Sequence, residues 1–309
     1  MSIIASTLNQ TAFLFGLILI GYILSKTKIL PQNSAGVLSK LESYVFIPAL
    51  VLGTFIDNFT PERMSRSAVL LAISCVITAL SAVFAVLVSK LFTKDRYIRN
   101  IYTYGLAFSN FGFMGNAVVK SLFPDIFFEY LLFTLPLWTL IYLWGVPRLL
   151  MADSDKRQSF KESLKSFVNP MFIAMVVGMI IGITRINLPP WLSSIVRVSG
   201  DCMSPIAMLL TGAVVSSISL KKTFTNVRIY GITLVRLVIM PLIFIGIARF
   251  ADIPHTVYVC AVCSLAMPLG LNTIVIPSGL GKDSSEAAGM ALISHLLSCI
   301  TIPLIFALV

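Results

Sequence analysis

The sequence predicts an all-α integral membrane protein of ten transmembrane helices, arranged as two inverted five-helix repeats. Three observations predict this fold class: the composition, a regular succession of long apolar segments, and similar motifs in the same order in both halves. The chain of 309 residues is 57% hydrophobic and 12% charged, and its mean hydropathy is +0.94. Because soluble domains carry about 25% charged residues, these values exclude an ordinary soluble protein.

Ten apolar segments approach the length that an α-helix needs to cross a bilayer, about 20 residues. Short polar connectors join them, and none is long enough for a soluble domain. The predicted spans are 9–25, 34–56, 67–91, 99–122, 127–148, 169–186, 191–218, 227–250, 255–278 and 285–308.

Lysine and arginine predict the orientation of these spans. Most of them lie in the connectors that follow odd-numbered spans, including the basic linker around Lys156 and Arg157. Since cytoplasmic connectors carry the positive excess, the sequence predicts a multi-pass protein of the cytoplasmic membrane with both termini outside. This topology accounts for the net charge of +10 without a nucleic-acid partner, and it favours contact with anionic membrane lipids.

The chain divides into two five-span halves. We assign 1–150 to the first repeat, 151–166 to a basic cytoplasmic linker, and 167–309 to the second repeat. Because each half has an odd number of spans, the second half enters the membrane upside down, as in many secondary transporters. The matching motifs are Asn9…Gly16…Gly21 with Asn169…Gly178…Gly182, Ile47-Pro48 with Ser204-Pro205, and Thr134-Leu135-Pro136 with Thr301-Ile302-Pro303.

Spans 4 and 9 are interrupted at corresponding positions. Span 4 contains 109–116 (SNFGFMGN), and span 9 contains 267–272 (MPLGLN). A broken helix leaves backbone N–H and C=O groups unpaired, which is tolerated in a membrane only where protein or a wet cavity satisfies them. Paired interruptions of this kind are the best sequence indication of a transporter's binding site. We therefore expect spans 4 and 9 to cross near the membrane midplane.

These interruptions, the Asn169-Pro170 start of span 6 and the overall length resemble the auxin efflux carrier family. More narrowly, the chain looks like the bacterial members of that family, which are described as malonate- or malate-type permeases. The resemblance implies a homodimer in which spans 1, 2, 6 and 7 form a scaffold and the other spans form a mobile transport domain. It further implies elevator-like alternating access for a small organic anion. The chain departs from the pattern in lacking the long central loop of plant members and a proline at the span 4 break.

The expected substrate site lies at the crossing. Half-helix N-termini present free N–H groups that suit a carboxylate, asparagine and threonine side chains add hydrogen bonds, and glycine allows close approach to the backbone. The alternative is that glycine serves close helix packing and that asparagine repairs freed backbone groups. The candidate substrate-binding residues are Asn110, Gly112, Gly115, Asn116, Pro268, Gly270, Asn272 and Thr273.

Four ionisable residues inside predicted spans are candidates for coupling or gating: Asp201, Arg236, His295 and Glu42. Each such group costs about 2.5–3.5 kcal/mol to insert, so each needs an explanation. We expect Asp201 and Arg236 to pair at the midplane, either as a gate that breaks during transport or as a permanent ion pair. His295 is either a proton relay or a hydrogen-bonded packing residue. Glu42 is either functional or a residue that only snorkels to the interface or pairs with Lys40.

The residues thus predict a secondary active transporter of mono- or dicarboxylates, with coupling to H⁺ or Na⁺ left open. The alternative is a ligand-gated channel or a transporter-like sensor of an organic acid. The sequence contains no phosphate-binding loop of the G-x-x-x-x-G-K-S/T type. Only one histidine and one clear aspartate lie deep within the predicted spans, so the sequence also lacks the side-chain groupings of membrane enzymes. No cofactor or metal is implied.

Overall fold

The computed structural model describes residues 3–59, 67–151, 170–217 and 219–308. The described residues are almost entirely helical. Most of the predicted linker, from residue 152 to 166, lies outside them, as does Asn169. The α-helices in chain order are α1 (Ile3–Lys26), α2 (Ser34–Leu41), α3 (Ile47–Asn58), α4 (Ala68–Phe92), α5 (Arg96–Ala107), α6 (Asn116–Leu122), α7 (Phe127–Leu140), α8 (Pro170–Thr184), α9 (Pro190–Val215), α10 (Leu220–Thr225), α11 (Val227–Leu234), α12 (Met240–Ala248), α13 (His255–Leu265), α14 (Asn272–Gly279) and α15 (Ser285–Phe306).

The described residues include four π-helical segments that adjoin these helices: Glu42–Phe46, Phe111–Gly115, Ile141–Met151 and Val235–Ile239. Through them α2 continues into α3, and α11 continues into α12. A single π-turn inserts an extra residue into a helix and often lies at a functional site. Two of these segments contain charged candidates, Glu42 and Arg236.

Within the described ranges, five helices are long and apolar enough to cross a membrane: Ser34–Asp57, Ala68–Phe92, Pro190–Val215, Val227–Ala248 and Ser285–Phe306. A sixth is obtained if Pro124–Leu140 and Leu143–Met151, bent by 47° relative to each other, count as one span. Helices also occupy the other predicted segments, and the shorter apolar ones include Ala12–Lys26, the apolar part of α1, with Pro170–Thr184 and His255–Leu265. The structure therefore confirms an all-helical protein with apolar membrane-length helices, while the number ten and the inverted repeat stay predictions.

The helices form two packing groups. The first group comprises α1, α2, α3, α8 and α9, with α1 packed along α9 and α3 packed against α8 and α9. The second group comprises α4 to α7 and α11 to α15, and the two groups meet where α1 contacts α6 and α15. Each group combines helices from both halves of the sequence, as the family resemblance implies.

Glycine brings the helices of the first group into backbone contact. A Cβ placed on Gly212 of α9 would lie 1.9 Å from the carbonyl oxygen of Ile18 in α1. A Cβ on Gly182 of α8 would lie 2.7 Å from the carbonyl oxygen of Phe55 in α3. Only a residue without a side chain permits these approaches, which make the first group tightly packed.

Candidate functional site: the crossing of two interrupted helices

The two interruptions meet and pair through their backbones. Ser109 and Leu269 form an isolated antiparallel bridge. The backbone amide of Asn110 donates to the carbonyl of Pro268 at 2.7 Å, and the backbone amide of Gly270 donates to the carbonyl of Phe108 at 3.2 Å. Each break thus satisfies polar groups of the other, which meets the requirement that hydrocarbon imposes on a broken helix. The expected crossing is present.

Local chemistry explains why the helices stop here. Ser109 and Asn110 have side chains that compete for backbone hydrogen bonds, and the Ser109 hydroxyl donates to the carbonyl of Ser264 at 2.7 Å. Pro268 has no N–H and disfavours helical geometry in the residue before it. The amide of Leu269 donates to the hydroxyl of Ser294 in α15, with the atoms 3.4 Å apart. These side chains therefore tie the crossing to α13 and α15 of the second group.

Arg236 holds the ends of both interrupted helices. Its guanidinium donates to the carbonyl oxygens of Leu106 at 2.9 Å, Ser264 at 3.0 Å and Met267 at 3.2 Å. These carbonyls lie at or just beyond the C-terminal ends of α5 and α13, where helices have unpaired acceptors and a negative dipole end. Arg236 is buried, with 1% of its surface exposed. The carbonyl groups stabilise this cation.

The expected pairing of Arg236 with Asp201 is wrong. Asp201 lies near the middle of α9, as predicted, but its carboxylate accepts from Nζ of Lys120 in α6 at 3.2 Å. Both side chains are 57% exposed. Arg236 lies within the second packing group, whereas Asp201 faces the boundary between the two groups. The two side chains therefore have different surroundings.

His295 contacts the crossing directly. Its Nδ1 lies 2.7 Å from the carbonyl oxygen of Ala291, and its Nε2 lies 2.8 Å from the side-chain nitrogen Nδ2 of Asn110. A carbonyl only accepts, so Nδ1 carries the proton and Nε2 accepts from Asn110. The Asn110 side-chain oxygen in turn accepts from the amide of Met114 at 3.3 Å. The side-chain nitrogen and the side-chain oxygen of Asn110 therefore both have hydrogen-bond partners within the protein.

The second interruption has its own side-chain contacts. The Asn272 amide donates to the Tyr104 hydroxyl at 2.9 Å, and the Thr273 hydroxyl donates to the carbonyl of Gly270 at 2.8 Å. Tyr104 was missed by the sequence reasoning because a tyrosine within a helix gives no local signal of a partner 168 residues away.

Protein atoms occupy the space beside the three candidate glycines. A Cβ on Gly112 would lie 2.7 Å from the Trp138 ring, and one on Gly115 would lie 2.3 Å from the Tyr130 hydroxyl oxygen. At Gly270, the carbonyl oxygen of Phe108 would be 2.8 Å away. These contacts support the close-packing alternative for the glycines.

Among the candidate substrate-binding residues, Asn116 lines a cavity. It begins α6 directly after the first interruption, and its side-chain oxygen is buried without a hydrogen-bond partner among the described residues. The cavity measures about 340 Å³ and lies between the two packing groups. Its polar lining residues include Asn116, Lys120, Asp201 and Ser204, and the Ser204 hydroxyl likewise has no partner within the described part of the chain.

A larger cavity of about 1150 Å³ lies toward the other end of the α2–α3 helix. Three lysines line it, Lys26, Lys28 and Lys40, together with Ile274 of α14. The crossing thus has a cavity on each side: one reaches the helix that follows the first interruption, and the other reaches the helix that follows the second.

Glu42 lies apart from the crossing, in the first packing group. It is 1% exposed and lies near the backbone of Ala207 in α9. Neither carboxylate oxygen has a hydrogen-bond partner of normal geometry in the described residues. The expected alternative of a pair with Lys40 is therefore not observed.

A family profile described as membrane transport protein matches residues 6–163 and 151–306. The chain belongs to this family. Its membership confirms the resemblance to auxin efflux carriers, and the apolar helices fit a protein that crosses a membrane several times.

An uncharacterised transporter of Schizosaccharomyces pombe (strain 972) is also similar to this member of the membrane transport protein family. The two are 30% identical over 102 residues, which are 33% of this chain and 23% of the yeast protein. The matched part is therefore less than a quarter of that relative's length.

Proposed function

We propose that this membrane transport protein is a secondary active transporter of small organic anions across the cytoplasmic membrane. The observation that carries the proposal is the cavity beside the crossing, lined by the unpartnered oxygen of Asn116 and by Lys120. Pockets that bind small molecules combine an apolar lining with a few convergent polar groups. A cation in such a pocket favours an anionic ligand.

The two cavities support alternating access. In the proposed ten-span topology, the cavity with Lys26, Lys28 and Lys40 opens to the cytoplasm, and the cavity with Lys120 and Asp201 opens to the outside. Both reach the crossing from opposite sides. A substrate bound there passes from one side to the other when the second packing group slides along the first.

The two packing groups support an elevator-like movement of this kind. The close contacts of Gly212 and Gly182 keep the first group together as a scaffold. The scaffold also has exposed apolar side chains on α8, including Ile173, Val177 and Ile180. We propose that part of this surface forms the homodimer contact and that membrane lipid covers the rest.

Transport is tested with purified protein in liposomes. The panel is malonate, succinate, glutarate, pyruvate, 2-oxoglutarate and benzoate, and ligands that bind the folded state raise its Tm in detergent. We expect at least one anion to raise the Tm and to show counterflow, in which external unlabelled anion drives exchange of the labelled anion. Flux without counterflow would favour a channel, and binding without flux would favour a sensor.

The coupling ion is tested in the same liposomes. An imposed pH gradient or Na⁺ gradient is applied separately, and uphill accumulation under one of them identifies the ion. Equal uptake under both conditions and with no gradient would contradict secondary active transport and favour facilitated exchange.

A further inference from the structure

The ion pair between Lys120 and Asp201 joins the two packing groups. Lys120 belongs to α6, which follows the crossing, and Asp201 belongs to α9 of the scaffold. Their charged atoms are 3.2 Å apart at the boundary across which the groups would slide. Displacement by a few ångströms breaks such a pair, so its state is linked to the relative position of the groups.

The pair is weak and exchangeable. Both side chains are 57% exposed, and exposed ion pairs contribute little to the stability of the folded protein. Water in the cavity is able to solvate Asp201 if Lys120 leaves it. An incoming carboxylate therefore competes with Asp201 for the same ammonium group at little cost.

The surrounding cavity contains unused polar atoms. Asn116, which is 7% exposed, lies one helical turn before Lys120 on the same face of α6, and its side-chain oxygen has no described partner. Ser204 lies nearly one turn beyond Asp201 on α9, and its hydroxyl oxygen is also buried without a described partner. Buried polar atoms of this kind are rare in folded proteins, and here both line the cavity that contains the ion pair.

We propose that Lys120 binds the carboxylate of the transported anion and that Asp201 forms an ion pair with Lys120 when the anion is absent. Binding of the anion displaces Asp201 from Lys120 and thereby releases an ionic contact between scaffold and transport domain. This inference rests on the proposed function and adds to it a substrate-binding residue and the contact that its ligand opens.

The test measures the Kd of the panel anion that gives the largest Tm shift, using titrations of purified protein. Lys120→Gln removes a charged hydrogen bond, and we expect binding about tenfold weaker. Asp201→Asn removes the competitor, and we expect binding up to about fivefold tighter, the limit set by an exposed pair. In the double variant, binding should be as weak as in Lys120→Gln alone.

Two further variants serve as controls. Arg249→Gln removes one positive charge outside both cavities and should leave the Kd within about twofold, since exposed distant charges are screened by salt. Lys120→Arg keeps the charge and should retain most of the affinity, which separates loss of binding from loss of folding.

Opposite effects of the two single variants support the proposal. Equal weakening in Lys120→Gln and Asp201→Asn would overturn it, because a purely structural ion pair loses the same contact from either side. Unchanged affinity in both would also overturn it. In these two cases wild-type counterflow still supports the proposed function, whereas absence of any anion binding or flux in the wild type would contradict both proposals.

Discussion

The side-chain amide of Asn110 donates a hydrogen bond to Nε2 of His295 across 2.8 Å. This contact joins the first interruption to α15, and both residues are 1% exposed. Because Nδ1 of His295 is engaged by the Ala291 carbonyl, the imidazole is held as one neutral tautomer. These contacts favour the interpretation of His295 as a hydrogen-bonded packing residue, and we propose that it positions Asn110.

This role predicts different outcomes for two substitutions of His295. His295→Leu leaves the Asn110 amide buried without an acceptor, which costs about 1–3 kcal/mol, and the Tm should fall. His295→Gln supplies a side-chain oxygen as acceptor and should recover much of that loss. If His295 were instead an essential proton relay, His295→Gln would retain the Tm but abolish pH-driven uptake in liposomes.

Arg236 should be critical for stability. Arg236→Met removes the donors to three buried carbonyls, and Arg236→Lys keeps the charge but not the planar arrangement of donors. We expect unfolding to require several kcal/mol less in the methionine variant and an intermediate loss in the lysine variant, since each unsatisfied buried group costs about 1–3 kcal/mol. The measurement is the Tm in detergent. Arg249→Gln, which removes an exposed arginine, is the control, and an unchanged Tm in Arg236→Met would contradict the capping role.

Asn110 and Asn116 should respond differently to truncation. Asn110→Ala removes a residue whose amide is engaged at both ends, so the Tm of the ligand-free protein should fall. Asn116→Ala removes an oxygen that has no partner in the described residues, so the Tm should stay nearly constant. Anion binding should nevertheless weaken about threefold to tenfold in Asn116→Ala, the loss expected for one hydrogen bond. Equal Tm losses in the two variants would contradict this division of roles.

The scaffold contact at Gly212 is tested by a single methyl group. Gly212→Ala places a Cβ 1.9 Å from the Ile18 carbonyl oxygen, so α1 and α9 must separate. We expect a loss of about 1–3 kcal/mol, as for other overpacked sites. Gly246→Ala is the matched control, because nothing lies within 4 Å of its Cβ position and alanine favours the helix. Similar Tm values for the two variants would argue against a rigid α1–α9 contact.

Much of the candidate site was predictable from local sequence. Pro268 and the Ser109-Asn110 pair interrupt helices through their own backbone chemistry, and the structure places both breaks in one antiparallel bridge. Asp201 also lies near the middle of its helix, as predicted. Its partner was predicted incorrectly because the depth of a residue along a helix does not specify which face it occupies.

Lys120 illustrates the same difficulty. It lies four residues after Asn116, a spacing that places both on one helix face, and this signal was available in the sequence. Near the end of a predicted span, however, an exposed lysine is most simply a solvated interface charge. Only the groove between the packing groups places it beside Asp201 and a cavity.

The sequence by itself determined that this chain is a helical membrane protein with two interrupted helices. Composition and the positions of proline, glycine and asparagine are local properties, and hydrocarbon imposes strict requirements on the backbone. The tertiary structure alone decided the partners of the buried polar groups. Arg236 and Leu106 are 130 residues apart and Asn110 and His295 are 185 apart, and such contacts depend on how helices pack, which no local pattern specifies.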